Sequence, residues 1–330
     1  TRPRWSPDGR RIAFLSNRGG SQQIWLMDAA GNNARQLTDV PIEADGVMWS
    51  PDGRYLLFTS AVYPACSDMA CNQQRQQEQA KNPVAAKVFT GLLYRHWNAY
   101  GDGRRSHLFA LPVAGGAPLD LTPGEYDVPP FSLGGPDEYA VSPDSREVAY
   151  TANLDPLEAL STNKDIFLAP ITGGPPKKIT TNPAWDATPV YSPDGRYLAY
   201  RKMERAGYEA DRFQLMLYDR RSASHTSLTE KYDRSADFVL WSPDSRRIYF
   251  GSEERATHPI LVMDAAGGEP RPVVSGGTND DARLTADGRT LVFTRASLQR
   301  PNEIFRAPAA GATGRLRGSS AAGSSSLAGR

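Results

Sequence analysis

Ser50-Pro51-Asp52-Gly53-Arg54-Tyr55-Leu56-Leu57-Phe58 decides the fold, because the chain repeats its opening. Near copies of the first four residues stand at Ser6-Pro7-Asp8-Gly9, Ser142-Pro143-Asp144-Ser145, Ser192-Pro193-Asp194-Gly195, Ser242-Pro243-Asp244-Ser245 and, in degenerate form, Thr285-Ala286-Asp287-Gly288. The copies begin 44, 92, 50, 50 and 43 residues apart, the period of one propeller blade with one long insertion. Proline at the second position sets φ for a type I turn, aspartate bonds back to the backbone and glycine accepts positive φ. The tetrapeptide is therefore a hairpin turn.

An apolar residue precedes most copies (Trp5, Trp49, Tyr191, Trp241), and a basic residue with an alternating run follows, as in Arg11-Ile12-Ala13-Phe14 and Tyr197-Leu198-Ala199-Tyr200. Alternation of period two between turn signals is the strand signature. A third strand follows in each unit (Ile24-Trp25-Leu26-Met27, Ile166-Phe167-Leu168-Ala169, Ile260-Leu261-Val262-Met263). The fourth is marked by Gln36-Leu37-Thr38, Asp120-Leu121-Thr122, Lys178-Ile179-Thr180 and Ser227-Leu228-Thr229. Four antiparallel strands per repeat define an all-β fold, a β-propeller of four-stranded blades with six blades visible. The repeats run without a linker over residues 1–308, which makes them one domain.

Hydrophobic residues make up 39% and charged residues 23%, with a net charge of +1. This balance has no basic patch of the kind phosphate backbones require, so no nucleic-acid partner is expected. No stretch approaches the roughly 20 apolar residues of a membrane span. The sequence begins at Thr1, almost directly on a strand and turn; a signal peptide or a further blade upstream is compatible with that start.

The long interval places an insertion at residues 61–105, between the second and third strands of the second blade. It opens on Tyr63-Pro64, continues through a Gln/Arg/Glu-rich stretch from Asn72 to Lys81 that is expected to be helical, and ends aromatic and basic at Tyr94-Arg95-His96-Trp97. A loop of such length in a compact domain usually carries function. Cys66 and Cys71 lie inside it, outside any strand pattern. They read as a local disulfide, which implies a periplasmic or secreted protein. Two free thiols in a cytosolic loop, or a metal site with His96 or His107, are the alternatives, although a lone C-x4-C is weak zinc spacing. Residues 309–330 are low in complexity and expected to be disordered. They arrive where the sixth repeat needs its last strand, so an abnormal end to the chain is expected.

The sequence lacks the G-x-S-x-G elbow of α/β-hydrolases, a paired-histidine motif, an EF-hand, a P-loop and a Rossmann glycine pattern. No catalytic residue, metal or cofactor is expected. Two segments exceed what a blade needs. Arg95, His96 and Trp97 combine charge, imidazole and an aromatic face, and either line a passage or pin the loop to the blade. Residues 204–212 crowd Glu204, Tyr208, Glu209, Asp211 and Arg212 into one loop of the fourth repeat. That loop is either a solvated ion-pair network or a binding element, in which a carboxylate holds a peptide's amino terminus and Arg212 orients it. A glycosidase-like propeller is disfavoured, because no paired acids appear on first strands outside the turns.

At these residues the chain resembles the prolyl oligopeptidase family of serine peptidases, in the branch of acylaminoacyl-peptidases and dipeptidyl-peptidase V. The turns alone are shared with TolB-like propellers. More telling are Tyr94-Arg95-His96-Trp97 with Asp102-Gly103-Arg104-Arg105-Ser106-His107-Leu108, Asp127-Val128-Pro129-Pro130-Phe131-Ser132-Leu133-Gly134-Gly135, and the segment from Glu204 to Arg212. The similarity extends to about Ala307. It implies a propeller that gates an α/β-hydrolase domain carrying the catalytic triad, acts with it on oligopeptides and lends side chains to the substrate cleft. The catalytic domain is absent here, and the family's seven blades imply one more than the six visible. Such a propeller alone is expected to be inactive and to self-associate through exposed edges. A stand-alone TolB-like propeller that binds a protein partner is the other reading.

Overall fold

A computed structural model describes residues 1–84, 86–96, 98–130, 138–311 and 317–318, leaving the side chains of residues 96, 317 and 318 aside. They form a six-bladed β-propeller in which each blade is a four-stranded antiparallel sheet. All six sheets follow chain order. The second runs Leu119–Asp120, Arg105–Pro112, Tyr55–Val62, Asp45–Trp49, and the insertion leaves between its two long central strands.

Every turn copy is built alike. The Ser6 hydroxyl donates to Asp8 at 2.5 Å and accepts from the Arg11 amide at 2.9 Å, while Asp8 also accepts from the Arg10 amide at 3.1 Å. Ser50, Ser142, Ser192, Ser242 and Thr285 repeat the pattern. Each hydroxyl thus satisfies both the turn carboxylate and the amide that opens the second strand. Hydrogen bonding from Ser6, and from Thr285 in the last copy, holds the Asp8 and Asp287 carboxyls below their ordinary range.

The fourth position is left-handed throughout, with φ of 67°, 69°, 58°, 69°, 59° and 67° at Gly9, Gly53, Ser145, Gly195, Ser245 and Gly288. Serine is costly there. The structure supplies the reason for both exceptions. Ser145 Oγ accepts from the Asp52 amide at 3.0 Å, and Ser245 Oγ accepts from the Asp194 amide at 3.0 Å. In each case the serine ties its turn to the turn of an earlier blade.

The Leu-Thr signal has an equally local cause. The buried Thr38, Thr122, Thr180 and Thr229 hydroxyls accept from the amides of Ile24, Leu108, Ile166 and Leu215 at 2.7 to 2.9 Å, and so complete the third strands where the backbone ladder stops.

The chain divides into two compact units, residues 1–191 with 202–211 and residues 192–201 with 212–330. In the first, Ala13, Leu26, Leu56, Phe58 and Phe109 form one apolar cluster, and Leu57, Leu108, Tyr139, Tyr150 and Phe167 a second. Trp49 reaches back across its cluster, donating its indole N–H to Arg4 O at 3.0 Å, and Tyr191 donates to Glu147 at 2.8 Å. In the second unit Tyr249, Ile260, Val262, Leu291 and Phe293 are packed together, and Trp241 stacks on Tyr197.

The structure adjusts the expected boundaries. The strands flanking the insertion pair for eight residues each, from Tyr55↔Pro112 to Val62↔Arg105, so the excursion proper is residues 63–104. Its helix spans Met69–Lys81, three residues longer than expected at the start, because Asp68 caps it by accepting from the Cys71 amide at 2.8 Å. Of the tail beyond Gly311, only the backbone of Arg317–Gly318 is described. Their backbone pairs with Phe305 and Arg306 and gives the sixth sheet its fourth strand; the rest of residues 312–330 lies outside the described residues.

Replacing Ser145 with alanine keeps the left-handed strain and removes the tie to Asp52. It is expected to cost about 1 kcal/mol in urea unfolding, whereas Ser145→Gly, which also relieves strain, is expected to cost less.

Candidate functional site

In the first unit, the loops joining second to third strands of the second, third and fourth blades are linked in series. Tyr63, buried beneath the insertion, receives its backbone order from Asn72, whose Oδ1 accepts from the Tyr63 amide at 2.7 Å; its hydroxyl bonds to Gln79. A disulfide joins Cys66 and Cys71 across the helix start. His107 is engaged elsewhere, with Asp120 Oδ2 at 2.7 Å on one ring nitrogen and Gly124 O at 2.9 Å on the other. His107 is thus not free to join the cysteines at a metal. Among the described residues no group of three or more His, Cys, Asp or Glu is placed to hold a metal ion.

At the foot of the insertion Arg105 pairs with Asp127 at 2.9 Å and with Glu158 of the third blade's loop at 3.6 Å. Asp127 also accepts from the Ser106 amide at 2.6 Å. The third blade's loop in turn meets the fourth's, where the Gly207 amide donates to Thr162 Oγ1 at 2.8 Å. Above this base lie exposed apolar side chains, Phe89 and Leu92 with Tyr94 and Tyr100 on the insertion and Leu157 and Leu160 on the third loop. Phe89 stacks on Tyr100 at 5.9 Å and tilts against Tyr94 at 5.5 Å.

The segments singled out in the sequence are placed as follows. The backbone of Arg95–His96 forms a hairpin with Ala99–Tyr100, and the Arg95 side chain is exposed. Trp97 and the His96 side chain lie outside the described residues. Asp211 organises its own loop: it accepts from the Glu204 and Arg205 amides at 2.9 and 2.8 Å and pairs with the Arg205 guanidinium at 3.2 Å. That guanidinium lies 4.0 Å over the Tyr208 ring. Glu204 and Glu209 are exposed. Arg205, Tyr208 and Asp211 are thus brought together. Arg212 belongs to the second unit, where it donates to the carbonyls of Thr229 at 3.0 Å, Glu230 at 3.2 Å and Tyr232.

Carboxylates stand on three first strands, Asp45 on Asp45–Trp49, Asp186 on Asp186–Tyr191 and Asp280 on Thr278–Leu284. Asp186 is buried, and burial pushes its carboxyl up to about 7 against the opposing hydrogen bond from Asn182, 3.4 Å away. The second unit holds a cleft of about 700 Å³ lined by Asp237, Glu253, Glu254, Arg255, His258 and Asp280. No local sequence signal marks it, since His258 meets Asp237 and Asp280, each about twenty positions away.

Four-stranded blades closed by Ser-Pro-Asp turns define a TolB-type propeller. The chain belongs to the TolB beta propeller domain family, which it matches over residues 138–327. It is 30% identical to dipeptidyl-peptidase 5 of Porphyromonas gingivalis over 312 residues, 92% of this chain and 44% of that protein. An "Uncharacterized peptidase YuxL" of Bacillus subtilis is 32% identical over 170 residues, 51% of this chain and 24% of that protein. The fold matches acylaminoacyl peptidase of Pyrococcus horikoshii with a TM-score of 0.68 at 16% identity, covering 96% of this chain and 44% of that one. The propeller domain of the trilobed protease of Pyrococcus furiosus matches with a TM-score of 0.61 at 14% identity, covering 96% and 83%. The chain therefore corresponds to the propeller portion of a prolyl oligopeptidase family peptidase, as the resemblance implied. It spans less than half the length of the dipeptidyl-peptidase 5 relatives it matches.

Because the folded carboxyl of Asp186 holds its proton to about pH 7 and an unfolded one only to about 4, stability falls as pH rises across that window. Asp186→Asn is expected to leave the thermal midpoint nearly unchanged at pH 4 and to raise it at pH 8.

Proposed function

We propose that this chain is the substrate-gating, non-catalytic portion of a serine exopeptidase of dipeptidyl-peptidase or acylaminoacyl-peptidase type that acts on oligopeptides. The single observation that carries the reading is the 30% identity to dipeptidyl-peptidase 5 along 92% of this chain. The partner is an α/β-hydrolase domain carrying the serine nucleophile, which performs acyl transfer. The insertion and the Arg205 to Asp211 loop form the rim on the substrate side. Support comes from their construction: Phe89, Tyr94 and Tyr100 are exposed on the insertion, and Arg105–Glu158 and Gly207–Thr162 contacts link the neighbouring loops. Such surfaces suit extended peptides, whose apolar side chains need partners and whose polar backbone needs donors and acceptors.

The amino terminus of a peptide is met by Glu209, exposed in that loop, rather than by Asp211, which already serves its own loop; Glu204 flanks the contact in sequence. Arg95, His96, Trp97 and Tyr208 complete the proposed set of substrate contacts in the first unit. The Cys66–Cys71 disulfide supports a periplasmic or secreted setting. Among the described residues no helix is long and apolar enough to cross a membrane.

The test joins this chain to the hydrolase portion of a dipeptidyl-peptidase 5 relative and measures cleavage of dipeptidyl and acylaminoacyl chromogenic substrates. The fusion is expected to be active and the chain alone inactive. Removal of residues 64–104 from the fusion is expected to raise KM for short substrates several-fold while leaving labelling of the nucleophile intact. Turnover by the chain alone, or unchanged kinetics after the deletion, would contradict the proposal.

A further inference from the structure

His258 stands in an unusual seat. Its Nε2 lies 2.8 Å from Asp237 Oδ2, and its Nδ1 lies 2.9 Å from the Asn279 carbonyl and 3.0 Å from Asp280 Oδ1. All three partners are acceptors. A neutral imidazole carries one N–H and satisfies one side only; the imidazolium donates to both. Asp237 precedes the first strand of the fifth sheet, Val239–Trp241, and Asp280 lies on the first strand of the sixth, Thr278–Leu284, so the charged ring bridges two blades of one unit.

The seat is reserved for this ring. A Cβ at Gly251 would lie 2.7 Å from His258 Cε1 and Nε2 and 2.8 Å from Phe238 Cε1, so glycine keeps the notch open. The backbone of His258 is tied as well, its amide to Gly277 O at 2.8 Å and its carbonyl to Asn279 Nδ2 at 2.7 Å. Beside it runs a tight turn in which Glu254 and Thr257 exchange backbone hydrogen bonds of 2.8 Å and both central residues are left-handed, Arg255 at φ 48° and Ala256 at 58°. Neither is the glycine or asparagine such a turn favours, so the turn is strained and depends on its surroundings.

We propose that His258 is a proton-operated staple: as imidazolium it locks the first strands of the fifth and sixth sheets together and fixes the strained Glu254–Thr257 turn that walls the cleft, and on deprotonation it releases one of the two strands. The remaining charges facing it are Glu253, Glu254 and Arg255 on the cleft wall. Arg234 pairs with Glu254 at 3.0 Å and with Asp233 at 3.6 Å, and Asp281 accepts from Thr294 at 3.2 Å. Carboxylates dominate this set, which favours the proton on the ring. The hydrogen bond to Asp237, opposed by burial, holds the imidazole above its ordinary range.

A group whose folded value is raised contributes its full stabilisation below the unfolded value, about pH 6.5, and loses it as pH rises through the folded value. The staple is therefore closed in mildly acidic solution and opens toward alkaline pH. The direct test follows the ring protons of His258 by NMR from pH 5.5 to 9.5 in the intact chain, with assignment by His258→Gln. The expected midpoint lies above 6.5, and Asp237→Asn lowers it. Thermal midpoints give a second reading: between pH 6.5 and 9 the native chain loses more stability than His258→Gln. Gly251→Ala, which expels the ring while keeping both carboxylates, follows the His258→Gln profile. A His258 midpoint at or below 6.5, one that Asp237→Asn leaves in place, or parallel pH profiles for the native and His258→Gln chains would overturn the proposal.

Discussion

The structure depends first on a hydroxyl at the start of each blade. In the Ser-Pro-Asp turn one small side chain binds the turn carboxylate and accepts the amide that opens the second strand. Pro and Asp alone would bend the chain. The hydroxyl also fixes register, because the amide it holds is the first of the central ladder, and a slip of one residue would turn the buried face outward. Ser145 and Ser245 add that blade registers are coupled, since their hydroxyls hold the amides of Asp52 and Asp194 in other turns.

Such a frame frees the opposite ends of the strands. The loops joining second to third strands carry the insertion, the Asp211-organised loop and the His258 cleft, and these are the parts that differ most from blade to blade. This division is what the proposed gating role requires, with repeated sheets to hold position and irregular loops left for a substrate. The Arg105, Asp127 and Glu158 group shows how the two are joined: Arg105 begins a long central strand and its side chain carries the order into the next blade's loop.

Sequence reading reached what is local and repeated. The turns, the strand order, the Leu-Thr signal and the helical stretch of the insertion each depend on residues within about fifteen positions. It stopped where partners are brought together only by the fold. Asp211 reads as an exposed acid available to a ligand, yet its oxygens are taken up by the Glu204 and Arg205 amides. Arg212 reads as its neighbour's companion and instead gathers carbonyls near Thr229. His258 looks isolated, and its function depends on Asp237 and Asp280 arriving from other strands.

The central claim is a division between a rigid, turn-locked frame and a rim that carries function. Amide hydrogen exchange resolved to single residues tests it most directly. The amides of Arg11, Tyr55, Glu147, Tyr197 and Arg247, each held by a turn hydroxyl, should exchange only with global unfolding, while the amides of residues 86–94 and 205–209 exchange orders of magnitude faster through local opening. Turn amides that exchange as readily as those rim residues would contradict the account.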